Sequence, residues 1–111
     1  MSIETTTLHG ATVIMIPPRF DANNAPGIES ELKGILTGKP GKVIFDFTNT
    51  DYIASAGLRV ILSITRDLMK GGARVALVEL RPTVLKVFEM AGFTSIFLIC
   101  VSREDAIRKM G

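Results

Sequence analysis

Three short stretches of this chain are apolar with almost no interruption: Val43-Ile44-Phe45, Arg74–Val78 after its leading arginine, and Ile96–Ile99. A strand with one wet face alternates apolar and polar residues, whereas a strand covered on both faces reads as a continuous apolar run. Such runs, spaced by segments long enough for a helix, require a largely parallel sheet clothed by helices. The intervening segments have the right period. Ile28, Leu32, Ile35 and Leu36 fall at i, i+4, i+7 and i+8, while Leu58, Ile61, Leu62, Thr65, Leu68 and Met69 keep three-and-four spacing. Val84, Leu85 and Phe88 form a third stripe behind Arg81-Pro82, with proline at the tolerated first helical position.

The chain opens differently. Ile3–Leu8 and Ala11–Ile16 are β-leaning and are separated only by His9-Gly10, which suits a tight hairpin turn. Pro17-Pro18 ends the second strand because proline cannot donate to a sheet ladder, and Arg19–Asn24 follows as a loop. Gly38, Pro40 and Gly41 close the first helix, Gly71-Gly72 the second and Gly92 the third. Ser102, with Asp105 three residues on, opens a terminal helix running through Ile107. The sequence thus predicts an α/β domain over residues 1–111, ordered ββαβαβαβα. Its sheet is mixed but mostly parallel, with an N-terminal hairpin and about four helices.

Composition removes several functions. A hydrophobic share of 47% against 22% charged residues is that of a folded globule, not a disordered chain. Thirteen basic and eleven acidic residues leave +2, too even a balance for binding nucleic acid by phosphate neutralisation. One tyrosine and no tryptophan offer no base-stacking platform. Cys100 stands alone, and residues 1–16 lack a basic start followed by an apolar stretch, so a reducing, cytoplasmic setting is expected. The longest apolar run, Ile96 to Val101, falls far short of the ~20 residues a membrane helix needs, so no membrane insertion is expected. Self-association, where it occurs, is expected to be weak.

Catalytic constellations are scarce. His9 lies in a hairpin turn with no base assigned to it. One histidine and one cysteine cannot build a His/Cys zinc site. Asp21, Asp46 and Asp51 fall near strand ends, where they could gather a hard cation, but turn and cap roles suit them better. No phosphate-binding glycine pattern is present, and Cys100 reads as an inert core residue. No catalytic residue, resident metal or cofactor is therefore expected.

The informative segment is Val43–Leu62. Ser55 sits where a polar loop meets a helix, followed by Ala56 and Gly57. A serine there is placed to cap the helix through its hydroxyl. Gly57 costs about 1 kcal/mol against alanine inside a helix, and it removes bulk beside that hydroxyl, leaving room for another protein. Ser55, Arg59, Ser63, Arg66 and Lys70 share one stripe opposite the apolar one. That stripe reads either as a solvated basic face or as a docking surface.

The segment resembles the signature of STAS domains, the fold shared by bacterial anti-sigma factor antagonists and the cytosolic ends of sulphate transporters. The resemblance rests on Phe45-Asp46-Phe47, the loop to Ile53, and Ala54-Ser55-Ala56-Gly57-Leu58. Arg19-Phe20-Asp21-Ala22, Gly71-Gly72-Ala73-Arg74-Val75 and the run Val84–Phe93 match further family features in order. The resemblance implies that Ser55 is the serine phosphorylated by a partner kinase and that Asp21 shapes the site beside it. Asp46, Ala54, Ala56 and Gly57 are then its neighbours, and Asn23, Ser55, Arg59, Ser63 and Arg66 contact the partner. Ala54 departs from the family's aspartate, Arg59 stands where a small residue is common, and Pro17-Pro18 replace the usual strand ending.

The function so implied is a non-enzymatic switch, an anti-sigma factor antagonist regulating sigma-factor-dependent transcription. Unmodified, it would bind an anti-sigma factor that is also a serine kinase; phosphorylation of Ser55 would release it. A metal-dependent serine phosphatase would restore binding. ATP and the divalent metal would belong to those partners. Two other expectations use the same corner without phosphorylation: a STAS adaptor subunit of a sensor scaffold or transport complex, and a module sensing a nucleotide or anion near Asp21, Asp46 and Ser55.

Overall fold

In the computed structural model, which describes residues 3–111, the first two apolar runs form inner strands of one sheet and the third contributes to its edge strand. The elements are β1 (Thr5–Leu8), β2 (Ala11–Met15), β3 (Arg19–Phe20), α1 (Ala25–Ile35), β4 (Lys42–Asp46), β5 (Tyr52–Ile53), α2 (Ser55–Lys70), β6 (Arg74–Val78), α3 (Pro82–Met90), β7 (Leu98–Cys100) and α4 (Arg103–Met110). A short 3-10 turn, Leu36–Gly38, follows α1. The main sheet runs β1-β2-β4-β6-β7. Its β1–β2 hairpin is antiparallel and every other pair is parallel.

The expected hairpin turn forms because His9 and Gly10 both adopt positive φ, 47° and 82°. Two such residues make the turn whose twist matches that of the flanking strands. Strand β4 shows why the inner strands read as unbroken apolar runs. Val43 and Phe45 join the core under α1, α2 and α3, while Ile44 joins a second core under α4. In β6, Val75 and Leu77 likewise face one way, Ala76 and Val78 the other. Phe88 of α3 meets Phe47 and Phe97 edge to face at 5.9 and 5.7 Å, sealing the larger core at the sheet's β7 side.

Several expectations need correction. The loop assigned to Arg19–Asn24 begins with β3, which pairs in parallel with β5 as a separate two-stranded ribbon. Neither two-residue strand has enough sequence to show a period. The first strand starts at Thr5 rather than Ile3, although the Glu4 carbonyl still accepts from Met15 N–H at 2.9 Å. The last strand is Leu98–Cys100 rather than Ile96–Ile99. Helix α3 ends at Met90, with Gly92 in the left-handed conformation beyond it, and α4 runs past Ile107 to Met110. At the start of α4, Ser102 Oγ accepts from Asp105 N–H at 3.1 Å, as its spacing predicts. The Asp105 carboxylate returns to Val101 N–H at 3.3 Å, and this bond is the main reason its carboxyl lies below the usual carboxylate range.

Candidate functional site

The corner containing Ser55 is built by stitching residues 48–54 onto residues 16–20. Prolines 17 and 18 cannot donate, but their carbonyls can accept. Thr50 Oγ1, buried, donates to the carbonyls of Ile16 at 3.1 Å and Pro17 at 3.0 Å. Asp51 N–H donates to Pro18 O at 2.8 Å, and Ala54 N–H to Phe20 O at 2.9 Å. The departure at Pro17-Pro18 therefore turns the chain out of the main sheet and leaves two carbonyls to hold the loop before Ser55. Arg81 adds a clamp from the start of α3: its guanidinium donates to Thr48 O and pairs with Asp51.

Beyond Ala54 the helix begins at once. Ala54, extended at φ −103° and ψ 175°, is the residue in the capping position, and Ser55 is the first residue of α2. The expectation that Ser55 caps the helix is thus off by one. Because alanine has no acceptor, the first turn has no side-chain cap and carries no acidic residue. Ser55 itself is exposed. An aspartate at 54 would supply the missing acceptor in backbone geometry already suited to it. Ala54→Asp should raise stability by about 1 kcal/mol, read as a rise in Tm on the order of 5 °C.

Gly57 does not serve the purpose the sequence suggested. It is buried on the inner side of α2, away from any room left for a partner. A Cβ built there would lie 2.8 Å from Phe20 O, 2.9 Å from Phe20 Cγ and 2.9 Å from Ile53 Cγ1. The glycine lets the first turn of α2 rest directly on the β3–β5 ribbon. Phe20 and Ile53 form the floor of the corner, and that contact holds Ser55 outward.

Asp21 and Ser55 flank the Phe20 O···Ala54 N–H bond, each one residue beyond it. The Asp21 carboxylate accepts from the N–H groups of Asn23 at 3.0 Å and Asn24 at 3.2 Å. Asn24 reciprocates by accepting from Asp21 N–H at 2.8 Å and donating to Arg19 O at 2.7 Å. Asp21 thus fixes the turn into α1 and leaves Asn23 exposed beside it. The sequence did not reveal Arg19 and Tyr52, which are register partners on the outer face of the ribbon. Arg19 lies 4.6 Å over the tyrosine ring and 3.5 Å from Asp21 Oδ2. Only the pairing of two very short strands brings them together, so no local signal could have found them.

Along α2, Arg59, Ser63, Arg66 and Lys70 are all exposed, as the stripe predicts. Among the described residues, Arg59, Arg66 and Lys70 form no ion pair. Asp46 was grouped with Ser55, but its carboxylate is buried and engaged by Arg103 of α4 at 2.6 Å and by Thr48 N–H at 2.8 Å. The three aspartates do not gather for a cation. Asp21 pairs with Arg19, Asp46 with Arg103 and Asp51 with Arg81, and no metal-holding cluster of three His, Cys, Asp or Glu residues occurs among the described residues. Cys100 is buried, and desolvation, followed by the nearby Asp105 charge, pushes its thiol pKa up. Among the described residues no helix is long and apolar enough to cross a membrane.

A parallel sheet with one hairpin edge, a two-stranded ribbon and an exposed serine opening the second helix together define a class, and residues 2–106 match the STAS domain family. This chain belongs to that family. BtrV of Bordetella bronchiseptica, described as an anti-sigma factor antagonist, is 35% identical over 106 residues, covering 96% of this chain and 91% of that protein. An anti-sigma-factor antagonist (STAS) domain protein from Planctomyces limnophilus superposes with a TM-score of 0.89 at 17% identity, over 99% of this chain and 98% of that one. The anti-sigma factor antagonist SpoIIAA in its unphosphorylated form superposes with a TM-score of 0.79 at 21% identity, over 98% and 96%. Its phosphorylated form gives 0.70 at 20% identity, over 99% and 100%. At these identities the structural matches speak for the fold.

Proposed function

We propose that this chain is an anti-sigma factor antagonist whose binding to an anti-sigma factor is switched at Ser55. The observation that carries the reading is the position of Ser55, exposed as the first residue of α2 and braced from behind by Gly57, Phe20 and Ile53. The relationship to BtrV supports the assignment of partner class, and the existence of SpoIIAA in both forms supports the mode of control.

The switch follows from electrostatics. A serine kinase partner would move the γ-phosphoryl group of ATP onto Ser55 Oγ, releasing ADP and the hydroxyl proton. The product carries about −1.5 to −2 charge at neutral pH. At this site the charge lies beside the uncapped N–H groups and the positive end of the helix dipole, so the fold tolerates it. Arg59, one turn on, can pair with it. A partner seated against the same corner meets a new dianion that it has no means to solvate. Unmodified, the exposed cations Arg59, Arg66 and Lys70 favour a partner with an acidic face. A metal-dependent phosphatase would remove the phosphate and reset the state.

Incubation with the cognate kinase and ATP should add one phosphate, seen by intact-mass spectrometry and absent in Ser55→Ala. No mass shift despite stable kinase binding would instead support the adaptor reading, which the lack of an acid at Ala54 favours. Modification at another residue would overturn the assignment of Ser55.

A further inference from the structure

Helices α1 and α2 pack together, and where both end the chain leaves a cleft of about 530 Å3. It lies at the opposite end of α2 from Ser55. The last turn of α1 and the loop to Gly41 form one wall, and the second half of α2 with its Gly71-Gly72 turn forms the other. At the base, Arg74 N–H donates to Gly41 O at 2.9 Å and ties the two walls together. Leu36, Ile64 and Leu68 give the cleft an apolar lining. Its volume falls among those of small-molecule sites, about 300–1,000 Å3, which combine such a lining with a few placed polar groups.

Those groups are Lys39 on the α1 side and Asp67 on the α2 side. Among the described residues neither forms an ion pair, with the other or with a third group, whereas Lys33 beside them is already paired with Glu29 at 3.7 Å. Lys39 adopts φ 52°, a left-handed conformation in which glycine would be unstrained, so the ammonium is carried at a position its own backbone disfavours. Gly41 is the reverse case. Its φ is not positive and a Cβ there would meet nothing within 4 Å, so neither backbone nor crowding calls for glycine. Its effect is to keep the cleft open.

We propose that this cleft binds a small zwitterion with an apolar body, of which an α-amino acid with a large apolar side chain is the simplest form. The ligand carboxylate pairs with Lys39 and its ammonium with Asp67, each in a charge-assisted contact. The ammonium also lies by the C-terminal end of α2, where the helix dipole favours a cation. The apolar side chain covers Leu36, Ile64 and Leu68. A fatty acid would leave Asp67 without a partner and a simple amine would leave Lys39 without one, which sets this class apart from both. The proposal does not depend on Ser55.

The probe is L-phenylalanine, added up to about 10 mM to the isotope-labelled full chain and followed by amide NMR shifts. Saturable shifts are expected at residues 36–41 and 64–73, with half-saturation on the order of 1 mM or below. Phenylpropionate and phenethylamine, each lacking one of the two charges, should bind about tenfold weaker or more. Lys39→Gly suits the φ of 52° and should keep the fold while weakening phenylalanine binding about tenfold. Gly41→Val should fill the cleft and abolish binding, whereas Ser55→Ala should bind phenylalanine as the parent does. Absence of shifts at the highest concentration would overturn the proposal, and so would equal binding of the three compounds. If Gly41→Val fails to fold, Lys39→Gly decides: unchanged affinity in that variant overturns the assignment.

Discussion

Arg103→Ala is expected to lower the free energy of unfolding by about 3 kcal/mol, near the low end for breaking a buried ion pair on one side. Asp46 is 1% exposed, at the end of β4 between the sheet and α4. One carboxylate oxygen meets Arg103 Nε at 2.6 Å and the other accepts from Thr48 N–H at 2.8 Å. Truncating the arginine leaves an anion inside the fold with Thr48 as its remaining partner. Asp46→Asn should cost less, because the Arg103 side chain is already 30% exposed and can turn to water. Urea denaturation of the two variants should show that order. Equal losses would mean that α4 is held by its apolar contacts, with the pair adding little.

Gly57→Ala should also destabilise, reversing the usual sign. In an ordinary helix the change gains about 1 kcal/mol. Here the new methyl would sit 2.8 Å from the Phe20 carbonyl oxygen and 2.9 Å from Ile53 Cγ1. A carbonyl fixed by its bond to Ala54 cannot move aside without giving up that bond. Overpacking of this kind costs about 1–3 kcal/mol, so the net result is a loss. Tm should fall on the order of 5 °C for each kcal/mol, and the damage should reach the exposed corner at Ser55 because the first turn of α2 must lift from its floor. A Tm equal to or above that of the parent would show that the ribbon and helix separate easily.

Much of the fold was legible because burial on both faces leaves a plain mark in the sequence. Val43-Ile44-Phe45 and Val75–Val78 are apolar throughout because each successive side chain enters a different core. Thr65 on the apolar stripe of α2 is buried as its spacing requires. The ribbon was not legible, since strands of two residues have no period to read. Missing it also misassigned Gly57. From sequence alone the glycine looked like space beside a hydroxyl, while its true reason, contact with Phe20, lies 37 positions away in the chain. Asp46 misled in the same way. It is near Ser55 in sequence, but its partner is Arg103 on the far side of the sheet.

On the proposed reading of Ser55, the ribbon would let a switch there be local. Residues 16–20 and 48–54 are fixed to each other by backbone and Thr50 bonds, and α2 rests on them through Gly57. A charge added at Ser55 would meet solvent and the helix end and should leave both cores undisturbed. The altered quantity is what the surface presents, and the fold beneath need not rearrange.

The most direct test is a calorimetric titration of the cognate anti-sigma factor with the unmodified chain, its Ser55-phosphorylated form and Ser55→Ala. Unmodified chain and Ser55→Ala should bind alike, and the phosphorylated form about 100-fold or more weaker, as expected for an unsolvated dianion at a contact. Equal affinity of the phosphorylated and unmodified forms would contradict the account.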